Sequence, residues 1–224
     1  MVEYTLIRSK RRTLVIQVQP DQTVVVRAPL RLAKGQIERF LQQKEGWILL
    51  QQQRMEQRQH QKESFSLSQG KFPLFGELFP LCFVQGGKPY EKDGVFYLPQ
   101  GDEPSLRAAA QLLYRDIARR ELQRRVAFYA QRMGVQPTGL RINGARGRWG
   151  SCSGKNSLNF SWRLMLAPEH CVDYVVVHEL CHILHHDHSA QFWREVERFF
   201  PDWRECRRTL AQVAENGAFW LDEG

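Results

Sequence analysis

The chain has 224 residues, 42% apolar and 25% charged, with a net charge of +8 at pH 7. That size suits one large domain or two small ones with a sizeable core. No stretch reaches the roughly eighteen apolar residues of a membrane span, the longest runs being pieces such as Tyr174-Val175-Val176-Val177, so no membrane partner is expected.

Read in chain order, the first thirty residues are β. Thr13 to Val18 and Thr23 to Arg27 are β-branched runs separated by Pro20-Asp21-Gln22, a hairpin signal, and Pro29 ends the second strand. From about Ala33 to Gln61 the pattern turns helical, with Ile37, Phe40, Leu41, Trp47, Ile48 and Leu50 near helical spacing. Its glutamine-rich end, from Gln51 to Gln61, reads as a helix projecting into solvent or as a linker. Short strands follow from Gly70 to Pro99, with Asp93-Gly94 as a tight turn before Val95-Phe96-Tyr97-Leu98.

A long helix is predicted from about Pro104 to Met133, stopped by Gly134. Its apolar positions, Leu112, Leu113, Ile117, Leu122, Val126, Phe128 and Tyr129, are assigned to the core. Arg141-Ile142-Asn143 opens another β region. Ser157 to Leu164 alternates, with Leu158, Phe160, Trp162 and Leu164 on one face. Pro168 and Glu169 then suit the first turn of a helix running to about His186. Val175-Val176-Val177 is poor helix material, so that helix must be buried on several sides. Ser189 is placed to cap a further helix containing Phe192, Trp193 and Val196, and a last helix follows Pro201.

The segment His178-Glu179-Leu180-Cys181-His182 carries the chemistry. Two histidines four apart on a helix point the same way, so both imidazoles reach one metal ion. The glutamate beside the first can take the proton of a metal-bound water. Three residues compete for the third ligand: His185, His186 and His188. His186 shares the helical stripe, but eight residues of helix rise about 12 Å, too far for one zinc ion with bonds of about 2.0–2.1 Å. The third ligand therefore comes after the chain has turned, near Asp187, and His188 is the residue able to fold back. Three histidines leave a fourth position for water, the mark of a catalytic zinc site holding one ion. Arg148, Arg163, Tyr174 and the spare histidines are candidates for stabilising the oxyanion.

There are five cysteines: Cys82, Cys152, Cys171, Cys181 and Cys206. Their odd number and the lack of any C-x-x-C argue against a disulfide framework. Cys181 is turned about a hundred degrees from the ligand stripe and is assigned to core packing. The N-terminus runs straight into Arg8 and Lys10-Arg11-Arg12 without an apolar signal core, so a cytoplasmic location is expected. The charge of +8 suits an acidic partner such as nucleic acid. However, the basic residues are dispersed, as in Arg119-Arg120 and Arg124-Arg125, and no nucleic-acid motif accompanies them.

The blocks Arg148-Trp149-Gly150-Ser151-Cys152-Ser153, Asn159-Phe160-Ser161-Trp162-Arg163-Leu164, Val175 to His182, His188-Ser189 and Phe192-Trp193 together resemble the YgjP-like metallopeptidase family. That family is related in pattern to the WLM and SprT zincin-type proteases. Arg8-Ser9-Lys10-Arg11-Arg12 and Val26-Arg27-Ala28-Pro29 carry the resemblance to the N-terminus. It implies zinc ligands at His178, His182 and His188, with Glu179 catalytic. It also implies an α+β, zincin-like catalytic domain at 101–224, with a mixed sheet and an active-site helix. Before it, at 1–100, comes a β-rich region of hairpin, helix and short strands. In such a domain a sheet edge lies beside the active-site helix, and Ser157 to Leu164 is the candidate edge for an added peptide or protein substrate. An ordinary half-buried strand is the other reading of that segment. The histidine spacing matches that of metzincins, but His185 stands where metzincins have glycine, so the turn to His188 must be made differently.

A zinc-dependent peptidase is the leading expectation. The alternatives are a metal-dependent phosphohydrolase acting on nucleotides, which would suit the charge, and a basic nucleic-acid-associated protein with a vestigial site. No glycine-rich phosphate loop supports the first, and the intact Glu179 argues against the second.

Overall fold

The structure, a computed structural model, describes residues 2–19, 21–64 and 67–216. It resolves into two compact units, residues 1–64 and 65–224.

In the first unit, β1 (Thr5–Ser9), β2 (Val15–Val18) and β3 (Val24–Pro29) form a mixed sheet ordered β1-β3-β2. The hairpin expected from the sequence is the antiparallel β2–β3 pair, and β1 adds to it in parallel. Alternate residues of β3, Val24, Val26 and Ala28, bury one face against Ile37, Leu41 and Ile48 of α1 (Lys34–Ser64). The Arg8 guanidinium donates to the carbonyls of Pro29, Leu30 and Leu32, tying β1 to the turn that leads into α1. α1 continues as helix through the glutamine-rich run. Whether the side chains beyond Gln57 project into solvent lies outside the described residues.

The second unit begins with β4 (Lys71–Leu74), β5 (Glu77–Val84), β6 (Tyr90–Lys92) and β7 (Val95–Pro99), a mixed sheet ordered β4-β5-β7-β6. Asp93 and Gly94 take φ of +52° and +76°, the doubly positive pair that a two-residue hairpin loop requires. These strands share a core with α2 (Glu103–Met133): Phe72 stacks on Phe96 at 4.3 Å and on Tyr114 at 4.6 Å. The compact units thus divide after Ser64, whereas the division read from the sequence falls at residue 100.

The Asp102 side chain caps α2 by accepting the Ser105 N–H at 3.1 Å, and Gly134 closes the helix at φ +67°. One stripe, including Leu113, Tyr114, Ile117, Leu122 and Val126, is buried. Leu112 and Phe128 fall off that stripe and are 62% and 52% exposed, so their assignment to the core is corrected.

A third mixed sheet, the second of this unit, has β8 (Gly139–Asn143), β9 (Gly150–Cys152) and β10 (Ser157–Ser161) in the order β8-β10-β9. Two expectations about the alternating segment are overturned here. β10 is the central strand, parallel to β8 and antiparallel to β9, so it is no edge. The strand also stops at Ser161, whose hydroxyl accepts the Arg163 N–H at 3.4 Å and starts a 3-10 turn at Trp162–Leu166. Trp162 to Leu166 are then all buried, which alternation could not foretell. The edge strand beside the motif helix is β9.

That helix is α3 (Glu169–Leu184), followed by α4 (Ala190–Phe199) and α5 (Trp203–Asn216). Val175, Val176 and Val177 are buried, as their poor propensity demands. α3 packs against α2, α4, α5 and β9, so tertiary burial holds it helical. Among the described residues no helix is long and apolar enough to cross a membrane.

Candidate metal centre

α3 ends at Leu184, two residues before the expected limit, and His185 takes an extended conformation with φ −138° and ψ 106°. This break turns the chain back over the last helical turn. Asp187 then accepts the Ser189 N–H at 3.2 Å, and Ser189 caps α4 by accepting the Phe192 N–H at 3.5 Å. The short loop between the two helices carries His188 to the motif.

His178, His182 and His188 offer ligand atoms that all lie within 4.8 Å of one another. The Nε2 atoms of His178 and His188 are 3.3 Å apart. His182 Nδ1 lies 3.1 Å from the His185 carbonyl oxygen. A carbonyl only accepts, so Nδ1 carries the proton and Nε2 is left with its lone pair. Tyr174 Oη approaches His178 Nδ1 at 3.5 Å on the side away from the cluster. Burial, reinforced by the two neighbouring imidazoles and Arg207, pushes the His178 pKa down to about 3. His178 is therefore neutral, as a ligand must be. Three imidazoles converging at this spacing fit a zinc ion by donor chemistry. His185 and His186 are outside the group, as the helix-rise argument requires.

Phe192 forms the floor, its ring 4.9, 4.5 and 4.8 Å from the rings of His178, His182 and His188. Trp193 flanks His178 and His188 and stacks on Trp203 at 4.3 Å. In the sequence these aromatics read as members of a capped helix and as part of the family resemblance, not as neighbours of the histidines.

Glu179 is buried beside the cluster. Burial raises its pKa to about 8, against the Arg148 guanidinium and the Cys152 backbone N–H, which pull it down. It is thus a basic carboxylate rather than an inert one. Gly150 of β9 backs directly onto it. A cavity of about 360 Å³ opens here, between Arg148, Trp149 and Gly150 on one side and α5 on the other. Of the oxyanion candidates, Arg148 and Tyr174 line this cavity. Arg163 instead donates to the Gly144 carbonyl at 2.6 Å and lies over the Trp162 ring. The α5 wall went unrecognised in the sequence.

A second set, His170, Cys171 and Cys206, also falls within 4.8 Å. Both thiols are fully buried, and burial pushes Cys171 up to about 12, so they serve as core packing. Cys181 is likewise buried, with its thiol pushed up to about 12. All five cysteines are free.

Three histidines around one point, a buried carboxylate next to them and an open cleft define the class: a metallopeptidase. The family model described as the YgjP-like metallopeptidase domain matches residues 12–213, and the chain belongs to that family. It is a metal-dependent peptidase, with peptides or proteins as its substrate class. No curated protein matches the chain. Among solved structures, it is similar to the metallopeptidase zymogen abylysin of Pyrococcus abyssi. The two are 24% identical over 42% of this chain and 97% of that one, with a TM-score of 0.39, too slight a likeness to add to the assignment.

Proposed function

We propose that this peptidase is a zinc enzyme in which His178, His182 and His188 hold a single ion and Glu179 is the general base. The observation that carries the reading is the convergence of the three imidazoles within 4.8 Å beside the buried Glu179. Zinc at such a site supplies Lewis acidity, sharpening water as a nucleophile and polarising the scissile carbonyl.

The chain's own residues do the rest. Glu179 accepts the proton of the attacking water and delivers it to the leaving amine, a task suited to a carboxyl whose pKa stands near 8. The His182–His185 hydrogen bond fixes the imidazole tautomer and ring orientation. Phe192 and Trp193 keep water from the back of the cluster. Arg148 and Tyr174, lining the cleft, stabilise the charge that develops on the carbonyl oxygen. The substrate backbone runs along β9, the sheet edge adjoining Glu179, with the cytoplasm as the working compartment.

The test is Glu179→Gln in purified protein. The expected result is one zinc per chain with hydrolysis of peptides reduced by about 10²–10⁴-fold. Unchanged activity would eliminate Glu179 as the base, and loss of zinc would make it a ligand.

A further inference from the structure

The cleft extends past His178 and Glu179, and its far wall is chemically uneven. At about 360 Å³ it has room for one or two side chains. Arg207, Leu210, Ala211 and Ala214 of α5 line it at helical spacing, so one face of that helix looks into the cleft. Across from them stand Arg148 and Trp149. Most of this lining is apolar, but two guanidinium groups stand at its rim. Arg207 lies over the rings of Trp193 and Trp203, 5.4 and 5.7 Å from their centroids, which orients its planar head. Among the described residues neither arginine forms an ion pair, and Glu179 is the sole acid lining the cleft.

We propose that this cleft is a specificity pocket for a carboxylate of the substrate, gripped by Arg207. The proposal rests on the peptidase reading of the same site. An apolar side chain would fill the volume but leave the Arg207 guanidinium without a carboxylate to pair with. A carboxylate on a short aliphatic stem fills it and gains charge-assisted, two-pronged hydrogen bonds from a guanidinium already held in place. A lysine or arginine in the same position would be repelled. The carboxylate can belong to an Asp or Glu side chain or to the substrate's own C-terminus.

The experiment uses zinc-loaded, full-length protein and pairs of quenched fluorescent peptides. Each pair carries Glu or Gln at one position around the cleavable bond, and every peptide is made with a free and an amidated C-terminus. The expected result is a position at which Glu exceeds Gln by about tenfold or more in kcat/KM. Dependence on the free C-terminus instead assigns the pocket to a chain end. Arg207→Gln should bring that ratio close to one, Arg207→Lys should keep part of it, and Arg208→Gln, outside the cleft, should leave it intact. Equal cleavage of every pair overturns the proposal while leaving the peptidase reading in place. If no peptide is cut, the same pairs are titrated by fluorescence anisotropy. Tighter binding of the acidic member then supports the pocket and counts against the peptidase reading, and equal binding overturns the pocket.

Discussion

Gly150 and Glu179 occupy space that only a glycine can share. A Cβ on residue 150 would lie 2.7 Å from both Cγ and Oε1 of Glu179 and 2.9 Å from its Cδ. No real side chain tolerates such contacts, so β9 is pressed against the carboxylate and fixes where it points. Gly150→Ala is therefore expected to displace the Glu179 carboxyl without touching a histidine. Peptide hydrolysis should fall about 10²-fold, the cost of misplacing a catalytic group by about 1 Å. Zinc content should stay at one per chain, which separates a shifted base from a collapsed site. Elemental analysis beside a kinetic assay makes that distinction, and full activity in the alanine variant would show that Glu179 has room to spare.

The turn after α3 yields a second prediction. His185 leaves the helix in an extended conformation, accepting a hydrogen bond from His182 through its carbonyl, and this break turns the chain back over the helix end. The loop then carries His188 against His178, while His186 stays outside the group. His188→Ala should cut zinc affinity severely and leave the protein with well under one ion per chain. His186→Ala should keep the full complement. A chelator should lower the Tm of the parent protein towards that of His188→Ala, because the ion binds only the folded arrangement. Equal zinc loss in the two variants would place the third ligand elsewhere.

The convergence of the three histidines was more legible than the scaffold around it because its signal is local. His178 and His182 sit four apart on one helix, and the rise per residue alone moved the candidate third ligand past the helix end. The caps at Ser189 and Gly134 and the Asp93-Gly94 turn were readable for the same reason, since each is fixed by a few adjacent residues. The arrangement of β8, β9 and β10 was not, because strand order depends on partners far along the chain. Leu158 and Phe160 announced a buried face correctly, yet nothing in them shows that β10 lies between two neighbours. β9 is only three residues long and carries no alternation, so Gly150 gave no local sign of its seat against Glu179. α5 was found as a helix, but the direction in which Arg207 faces follows from packing against Trp193 and Trp203, which only the fold reveals.

Arg125 reads in the sequence as one more dispersed surface cation, yet it is only 3% exposed. It pairs with Glu121 of its own helix and reaches Glu169 at 2.5 Å and Asp173 at 3.2 Å on α3, so it clamps α2 to the first turns of the motif helix. Arg125→Ala leaves three carboxylates facing one another around a small cavity. Breaking a buried ion pair costs about 3–5 kcal/mol, and these acids keep some contact with water, so a loss of about 2–3 kcal/mol is expected at neutral pH. The pH dependence follows from the signs. Although burial pushes Glu121 up, Arg124 and Arg125 hold it below its ordinary value. Its contribution is therefore present above the usual glutamate pKa and is lost as the pH falls through its folded value. Asp173 runs the other way: burial raises it even with Arg125 beside it, so its carboxylate costs stability as the pH rises. Without Arg125 both acids shift towards their protonated forms in the folded state, Glu121 less than Asp173 because Arg124 stays beside it. The stability deficit of Arg125→Ala should accordingly be largest near neutrality and shrink as the pH drops through the carboxylate range. Urea unfolding of the two proteins across that range measures it, and a deficit that stays constant with pH would mean that Arg125 acts through packing rather than charge.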